Sequence, residues 1–131
     1  YLDQAKHIAA FLMNHPNMPA DKIPYWDFNA PDIPNALRDA SAAAIMASSL
    51  IELSQFVEEP LKQNYLAFAE SQLLTLASPQ YLAETGTNGC FILKHGVGHL
   101  PGNSEVDVPL AYGDYYFVEA LLRYRKLVLH Q

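Results

Sequence analysis

Hydrophobic and polar residues follow helical spacing in the first segment of the chain, Leu2–Asn14. Its apolar residues Leu2, Ala5, Ile8, Ala9 and Leu12 recur at intervals of three and four, which places them on one face of a helix. The sequence HPNMP follows. Its prolines end the helix, because proline has no backbone N–H to donate and restricts the residue before it. We predict an amphipathic helix here.

The second segment, Arg38–Val57, is apolar around its whole circumference. Between Asp39 and Glu58 its only charged residue is Glu52. A helix without a polar face is buried on all sides. Its length is sufficient for a membrane span, but small polar residues and Glu52 interrupt it and neither end has a basic flank. We therefore predict a helix buried in a protein core and no membrane association.

Two further helices are predicted, over Pro60–Ala77 and Gly113–Leu129. The third segment has Pro60 at its first helical position, where the missing N–H costs nothing. Its apolar side comprises Leu61, Tyr65, Phe68, Leu73 and Leu76, and its polar side comprises Lys62, Gln63, Glu70 and Gln72. The fourth segment is apolar on most of its circumference, with Asp114 in its first turn and two basic residues in its last, which suits the helix dipole.

The predicted helices thus alternate between amphipathic and buried, and the fold class is all-α. This alternation is what a double-layered helical barrel requires, since its inner ring is covered on both sides. A free-standing four-helix bundle would show four amphipathic helices instead. Four helices cannot close a double ring, so we expect part of the structure to lie outside these residues. The stretch GCFILKHGV is compatible with either a short strand or an extended buried loop.

Composition and net charge exclude some classes of protein. The formal net charge is −6, half of the residues are hydrophobic and 17% are charged, which excludes intrinsic disorder. An acidic chain without clustered Lys and Arg does not fit a nucleic-acid surface. The single cysteine, Cys90, permits no internal disulfide and leaves the cellular compartment open.

The first candidate site is a long loop from Ile23 to Ser41 that contains the only tryptophan, Trp26, between Tyr25 and Phe28. Two interpretations remain open: an aromatic platform that stacks on a sugar ring, or a plug of the barrel mouth. Its acids also have two interpretations. Asp27 and Asp32 are compatible with a general acid/base pair or with turns. Asp39 is predicted to be a first-turn acid that pairs with Arg38.

The second candidate site is the loop from His95 to Asp114. Its glycines at 96, 98 and 102 allow a ligand to approach the backbone closely. His95 and His99 have the spacing of a metal pair, but the glycines disfavour a helix there, and Asp107 is the only possible third ligand. We therefore expect these histidines to hydrogen-bond a polar ligand or the loop backbone, with no metal site.

At these two loops the chain resembles a known family. The sequences PYWDFNAPDIPNALRDASAAAIMASSLIEL and HGVGHLPGNSEVDVPLAYGDYYFVEALLR resemble the C-terminal third of the unsaturated glucuronyl hydrolases, glycoside hydrolase family 88. The most specific parts are DFNAP followed by RDASAAA, and GDYYFVEALLR. The related unsaturated rhamnogalacturonyl hydrolases share the fold but match these stretches less well.

The resemblance implies a six-hairpin (α/α)6 barrel, of which residues 1–131 would form the C-terminal portion of a single catalytic domain. It implies removal of 4,5-unsaturated glucuronic acid from glycosaminoglycan-derived oligosaccharides. In this family an aspartate protonates C4 of the vinyl ether and directs water to C5, and the hemiketal then collapses. The implied substrate is an unsaturated oligosaccharide, the implied partner is the missing N-terminal part of the barrel, and no cofactor is implied.

The resemblance also decides which residues we consider for the site. The family's two key aspartates lie upstream of the matched region, so we assign no catalytic residue here. The substrate-binding candidates are Trp26, His95, Gly98, His99 and Asn103. Sulfate-preferring relatives present serines and a lysine after the His-Gly pair, where this chain has Gly98, Pro101 and Asn103, so preference for a sulfated chondroitin product is not expected. The alternative function is a non-catalytic helical carbohydrate-binding or interaction module.

Overall fold

The computed structural model describes all 131 residues and contains four α-helices and no β-strand. The helices are α1 (Leu2–Met13), α2 (Ala40–Leu53), α3 (Leu61–Leu76) and α4 (Ala111–Arg123). A 3₁₀ turn over Ser54–Phe56 extends α2, and a π-helical stretch over Tyr124–Val128 extends α4. The predicted all-α fold class is confirmed.

Helix α2 lies at the centre of the molecule, between α3 and α4. Its alanines and serines permit close approach: a Cβ added to Gly113 of α4 would lie 3.1 Å from the Cβ of Ser41. At the other end of the two helices, Arg123 of α4 contacts Glu52 of α2. Helices α2 and α4 are therefore parallel, and their N-termini lie at the same end of the molecule.

A polar network centred on the buried Ser48 links these parallel helices. The Ser48 hydroxyl is 2.5 Å from the Glu119 carboxylate, and the Arg123 guanidinium donates to the Ser48 carbonyl at 3.0 Å. Arg123 also forms an ion pair with Glu52, with an N–O distance of 2.7 Å. This network satisfies charges that would otherwise be costly to bury between apolar helices.

Three helix starts differ from the prediction by one or two residues, and those of α2 and α3 are later because the capping residues lie outside the helices. Helix α2 begins at Ala40 rather than Arg38, since the Asp39 side chain accepts the Ser41 N–H and caps the helix. Pro60 is the N-cap of α3 rather than its first helical residue. Helix α4 begins at Ala111, two residues earlier than the predicted Gly113.

Helix burial matches the prediction for α2 but not for α4. Nine of the fourteen α2 residues are buried. Helix α4 buries only Gly113, Phe117 and Ala120, and it exposes a row of apolar side chains: Tyr112, Tyr115, Val118, Leu121 and Leu122. The reason is that α4 packs on α2 along one face only.

Two other helices show burial that the sequence pattern did not predict. Gln72, assigned to the polar side of α3, is fully buried, and its Nε2 donates to the Lys22 carbonyl at 3.0 Å. Helix α1 buries only Ala9, and between α1 and α2 lies an apolar cleft of about 470 Å³. None of the helices is long and apolar enough to cross a lipid bilayer.

Candidate functional site

The two predicted site loops meet at the N-terminal end of α2. The Asp39 carboxylate accepts hydrogen bonds from the Ser41 N–H at 3.0 Å and from the Val97 N–H at 3.3 Å. The next backbone N–H, of Ala40, donates to the His95 carbonyl at 3.0 Å. The orphan N–H groups that open a helix are thus satisfied partly by the second loop, which fixes that loop against the first.

The predicted pairing of Asp39 with Arg38 is wrong. The Arg38 guanidinium forms an ion pair with Asp21, and its Nε donates to the Ile23 carbonyl at 2.8 Å. The Asp39 Oδ1 instead accepts from the Ser41 N–H, the Ser41 hydroxyl and the Val97 N–H. Asp39 is therefore the N-cap of α2.

The three aromatic residues of the first loop line one groove but do not stack on one another. The Tyr25 ring lies under the Arg38 guanidinium, 5.0 Å from centroid to carbon, and the Phe28 ring stacks on His15 with a centroid separation of 4.2 Å. Trp26 is half-buried, and the groove of about 460 Å³ that it lines also includes Tyr25, Phe28, Asp27 and Asp39. We call this the Trp26 groove. It offers an apolar wall beside two carboxylates.

The two acids of the first loop occupy turns. The Asp27 carboxylate accepts the Asn29 N–H at 2.7 Å, which is an Asx turn. Asp32 is exposed, and its carbonyl accepts the Asn35 N–H at 2.7 Å. These contacts match the turn interpretation of both residues.

The second loop folds back on itself between residues 95 and 108, and we call this segment the arm. Gly96 and Val108 exchange two backbone hydrogen bonds of 2.8 and 2.9 Å, and His99 and Ser104 exchange two of 3.0 and 3.1 Å. A 3₁₀ turn over Leu100–Gly102 forms its tip. The stretch GCFILKHGV forms no strand: Gly89 and Cys90 lie in a 3₁₀ turn, and isolated bridges pair Leu93 with Leu82 and Gly96 with Val108.

Glycines are required where the arm packs most tightly. A Cβ at Gly96 would lie 2.8 Å from the Val108 carbonyl oxygen, and one at Gly98 would lie 2.2 Å from a Glu105 carboxylate oxygen. Neither the Val108 backbone nor the Glu105 Cβ, which would lie 2.9 Å from the atom added at Gly98, can move aside. Both positions therefore require glycine.

His95 is held through its ring by Asp107, with 2.7 Å between Nδ1 and Oδ1. The two side chains are 42% and 43% exposed, so the pair lies at the surface of the arm. The Tyr81 ring contacts the His95 ring edge-on, with 6.0 Å between centroids. Burial raises the pKa of Tyr81, which therefore remains a neutral phenol beside the histidine.

The other substrate-binding candidates lie further along the arm. Gly98 and His99 are exposed, and the His99 ring lies over Gly102, where an added Cβ would be 2.5 Å from the ring. Asn103 is exposed in the left-handed region with φ 51° and closes the tip turn by donating its N–H to the Leu100 carbonyl at 2.9 Å. His95, Gly98, His99 and Asn103 thus share one arm.

The contacts between loops could not be seen in the sequence. Asp39 joins the Trp26 groove to the arm, and Asp107 holds His95; both were considered only for other roles. The residue type alone gave a partial indication of both roles, since aspartate commonly caps helices and orients histidines. No group of three or more His, Cys, Asp or Glu side chains is arranged to hold a metal ion.

Comparison with known proteins places this geometry in a family, although no family model matches the chain. The chain is 50% identical over 129 residues to an unsaturated glucuronyl hydrolase of Formosa agariphila, a match that covers 98% of this chain and 32% of the relative. It superimposes with a TM-score of 0.92 and 56% identity on the crystal structure of an unsaturated glucuronyl hydrolase specific for heparin, over 95% of this chain and 33% of that one.

A third match carries a bound sugar. A mutant of the Streptococcus agalactiae unsaturated glucuronyl hydrolase, complexed with dGlcA-GalNAc6S, superimposes with a TM-score of 0.74 and 33% identity over 82% of this chain and 29% of that one. These matches confirm the resemblance found at the two loops. Over nearly its whole length the chain is similar to unsaturated glucuronyl hydrolases, and it spans about a third of the length of the members it matches.

Proposed function

We propose that this chain forms the substrate-side portion of a glycosidase that removes 4,5-unsaturated glucuronic acid from glycosaminoglycan-derived oligosaccharides. The proposal is carried by the similarity to a heparin-specific enzyme, with 56% identity and a TM-score of 0.92 over 95% of the chain. The reaction would be hydration of the vinyl ether, with the proton donor supplied from outside residues 1–131.

Substrate would contact the two loops at the N-terminal end of α2. The Trp26 groove offers an apolar surface for the C–H face of a sugar. The arm offers two exposed or half-exposed imidazoles, His95 and His99, with the Gly98 backbone and the Asn103 amide beside them. A sugar needs both kinds of surface, because its ring faces are apolar and its hydroxyls require hydrogen-bond partners.

The rest of a barrel is the proposed partner. The exposed side chains of Tyr115, Val118 and Leu122 give α4 an apolar outer face. The exposed side chains of Ile8 and Phe11 give α1 an apolar outer face as well. Apolar helix faces of this kind pack against neighbouring helices, which in the proposed domain are the remaining helices of the (α/α)6 barrel. Residues 1–131 would then be one portion of a single catalytic domain.

Hydrolysis of an unsaturated glucuronyl disaccharide tests the proposal. Turnover is followed by the loss of ultraviolet absorbance of the conjugated double bond, in the intact parent enzyme and in residues 1–131 alone. We expect turnover by the parent and none by the isolated 131 residues. Binding without hydrolysis by the parent would instead favour a carbohydrate-binding module. Turnover by the isolated residues would overturn the assignment of no catalytic residue to this chain.

A further inference from the structure

The His95–Asp107 pair fixes which nitrogen of the imidazole carries a proton. An ionised carboxylate only accepts hydrogen bonds, so the 2.7 Å contact between Asp107 Oδ1 and His95 Nδ1 requires the proton on Nδ1. In the neutral ring Nε2 is then an acceptor. The ring is 42% exposed on the arm and Tyr81 contacts its edge, so Nε2 is the polar atom left to bind a ligand.

The backbone around this pair is held in a conformation that other residues avoid. His95 has φ 62° and Asp107 has φ 54°, both in the left-handed region. A non-glycine residue in this region is strained, and such strain persists where surrounding contacts impose it, often at ligand sites. Three backbone hydrogen bonds impose this conformation. Gly96, which follows His95, and Val108, which follows Asp107, exchange two of them, and the Ala40 N–H donates the third to the His95 carbonyl.

We propose that Asp107 is a positioning residue that holds His95 with Nε2 as the acceptor for a sugar hydroxyl of the substrate. The inference rests on the proposed function and adds to it the direction of one hydrogen bond: the substrate donates and His95 accepts. Asp107 acts only through the imidazole and does not itself touch the sugar. Its effect on substrate use therefore disappears when the Nε2 position is removed.

A double-mutant cycle in the parent enzyme tests this dependence. Asp107→Asn removes the charged acceptor, and His95→Asn removes Nε2; asparagine tolerates the left-handed region at both positions. We expect each single variant to lower kcat/KM by about tenfold, as loss of an orienting partner does, and the double variant to be no worse than the poorer single one. Losses that multiply would overturn the proposal.

Two controls separate positioning from folding. Glu84→Gln neutralises an exposed loop carboxylate that has no side-chain contact and should leave kcat/KM unchanged. Asp107→Glu keeps a carboxylate for Nδ1 and should retain more activity than Asp107→Asn at equal thermal stability. Asp107→Asn activity equal to that of Glu84→Gln contradicts the proposal. If Asp107→Asn does not fold, the tautomer of the wild-type His95 ring decides the proposal.

The tautomer provides a readout without turnover. Long-range ¹H–¹⁵N spectra of the His95 ring in the parent enzyme should show the proton on Nδ1 in the wild type and a mixture of tautomers in Asp107→Asn. A wild-type ring protonated only at Nε2 would overturn the proposal even if the parent is an active hydrolase. An inactive parent with the expected tautomer would reject the proposed function while leaving the ring orientation intact.

Discussion

Asp39 and Val97 join the two site loops through one hydrogen bond. The Asp39 carboxylate caps α2 and also accepts the Val97 N–H at 3.3 Å, although 58 residues separate the two in the chain. The same oxygen accepts the Ser41 hydroxyl at 2.7 Å. The start of the central helix and the base of the arm are therefore positioned by a single side chain.

Replacing Asp39 should reveal both roles. Asp39→Ala removes the cap and is expected to lower the free energy of unfolding by about 1 to 2 kcal/mol, the usual cost of a lost N-cap. Asp39→Asn keeps an oxygen acceptor and should lower the free energy of unfolding much less. Urea denaturation measures both, and equal losses for the two variants would mean that the charge, and not the cap, is what matters.

Trp26 and His99 distinguish a substrate surface from a structural plug. In the parent enzyme, Trp26→Ala and His99→Ala should each lower kcat/KM by about tenfold, equivalent to about 1.4 kcal/mol, with little loss of helicity. Trp26→Phe keeps an aromatic face, and its kcat/KM should fall between those of the wild type and Trp26→Ala. If circular dichroism instead shows mainly a lower melting temperature, the aromatic side chain is a plug of the barrel mouth.

Two glycines of the arm should not tolerate an added methyl group. At Gly96 the Cβ would lie 2.8 Å from a backbone oxygen of Val108, and we expect Gly96→Ala to lower the free energy of unfolding by about 1 to 3 kcal/mol, as overpacking does. At Gly98 it would lie 2.9 Å from the Glu105 Cβ, which is fixed to the backbone, so Gly98→Ala should be destabilising as well. Thermal melts of the two variants measure the losses; unchanged melting temperatures would show that the arm is not tightly packed.

Loss of the partly buried Arg123 ion pair should lower the free energy of unfolding more than loss of an exposed ion pair does. Arg123→Met leaves the Glu119 carboxylate, which is 25% exposed, without its cation, and should destabilise the fold by about 1 to 3 kcal/mol. The control is Lys6→Met, whose partner Asp3 is 90% exposed and whose loss should cost about 0 to 1 kcal/mol. Urea denaturation compares the two, and equal costs would contradict the assigned role.

Buried tyrosines predict an alkaline loss of stability. Burial raises the pKa of Tyr65 and of Tyr81 above the ordinary value near 10. As the pH rises through 10 the unfolded chain loses these protons first, so the folded state binds more protons and stability falls. Below pH 10 this contribution is fully present.

Tyr81→Phe tests the alkaline prediction. The Tyr81 hydroxyl is buried without a hydrogen-bond partner, so its removal should leave stability near neutral pH unchanged or higher and reduce the decline above pH 10. The exposed Tyr115→Phe variant is the control. Free energies of unfolding at several pH values provide the measurement, and an undiminished decline in Tyr81→Phe would contradict the assignment.

Local patterns predicted most of the helices. The bounds of α1 and α3 agree with the sequence within one residue at each end, because apolar periodicity and flanking prolines act over a few residues. The sequence also identified the arm glycines and histidines as candidate site residues, since close backbone approach and imidazole hydrogen bonding are properties of the residue type itself. The predicted alternation failed for α4, because burial needs a neighbour on every side and α4 has α2 on one side only.

The sequence by itself determined four helices, the two chemically unusual loops and the family resemblance they carry. Only the tertiary structure decided which partners meet: Arg38 with Asp21 instead of the adjacent Asp39, Gln72 with the Lys22 carbonyl, and His95 with Asp107. The physical reason is that helix formation depends on neighbours three and four residues apart, whereas hydrogen-bond partners depend on where distant segments are brought together by packing.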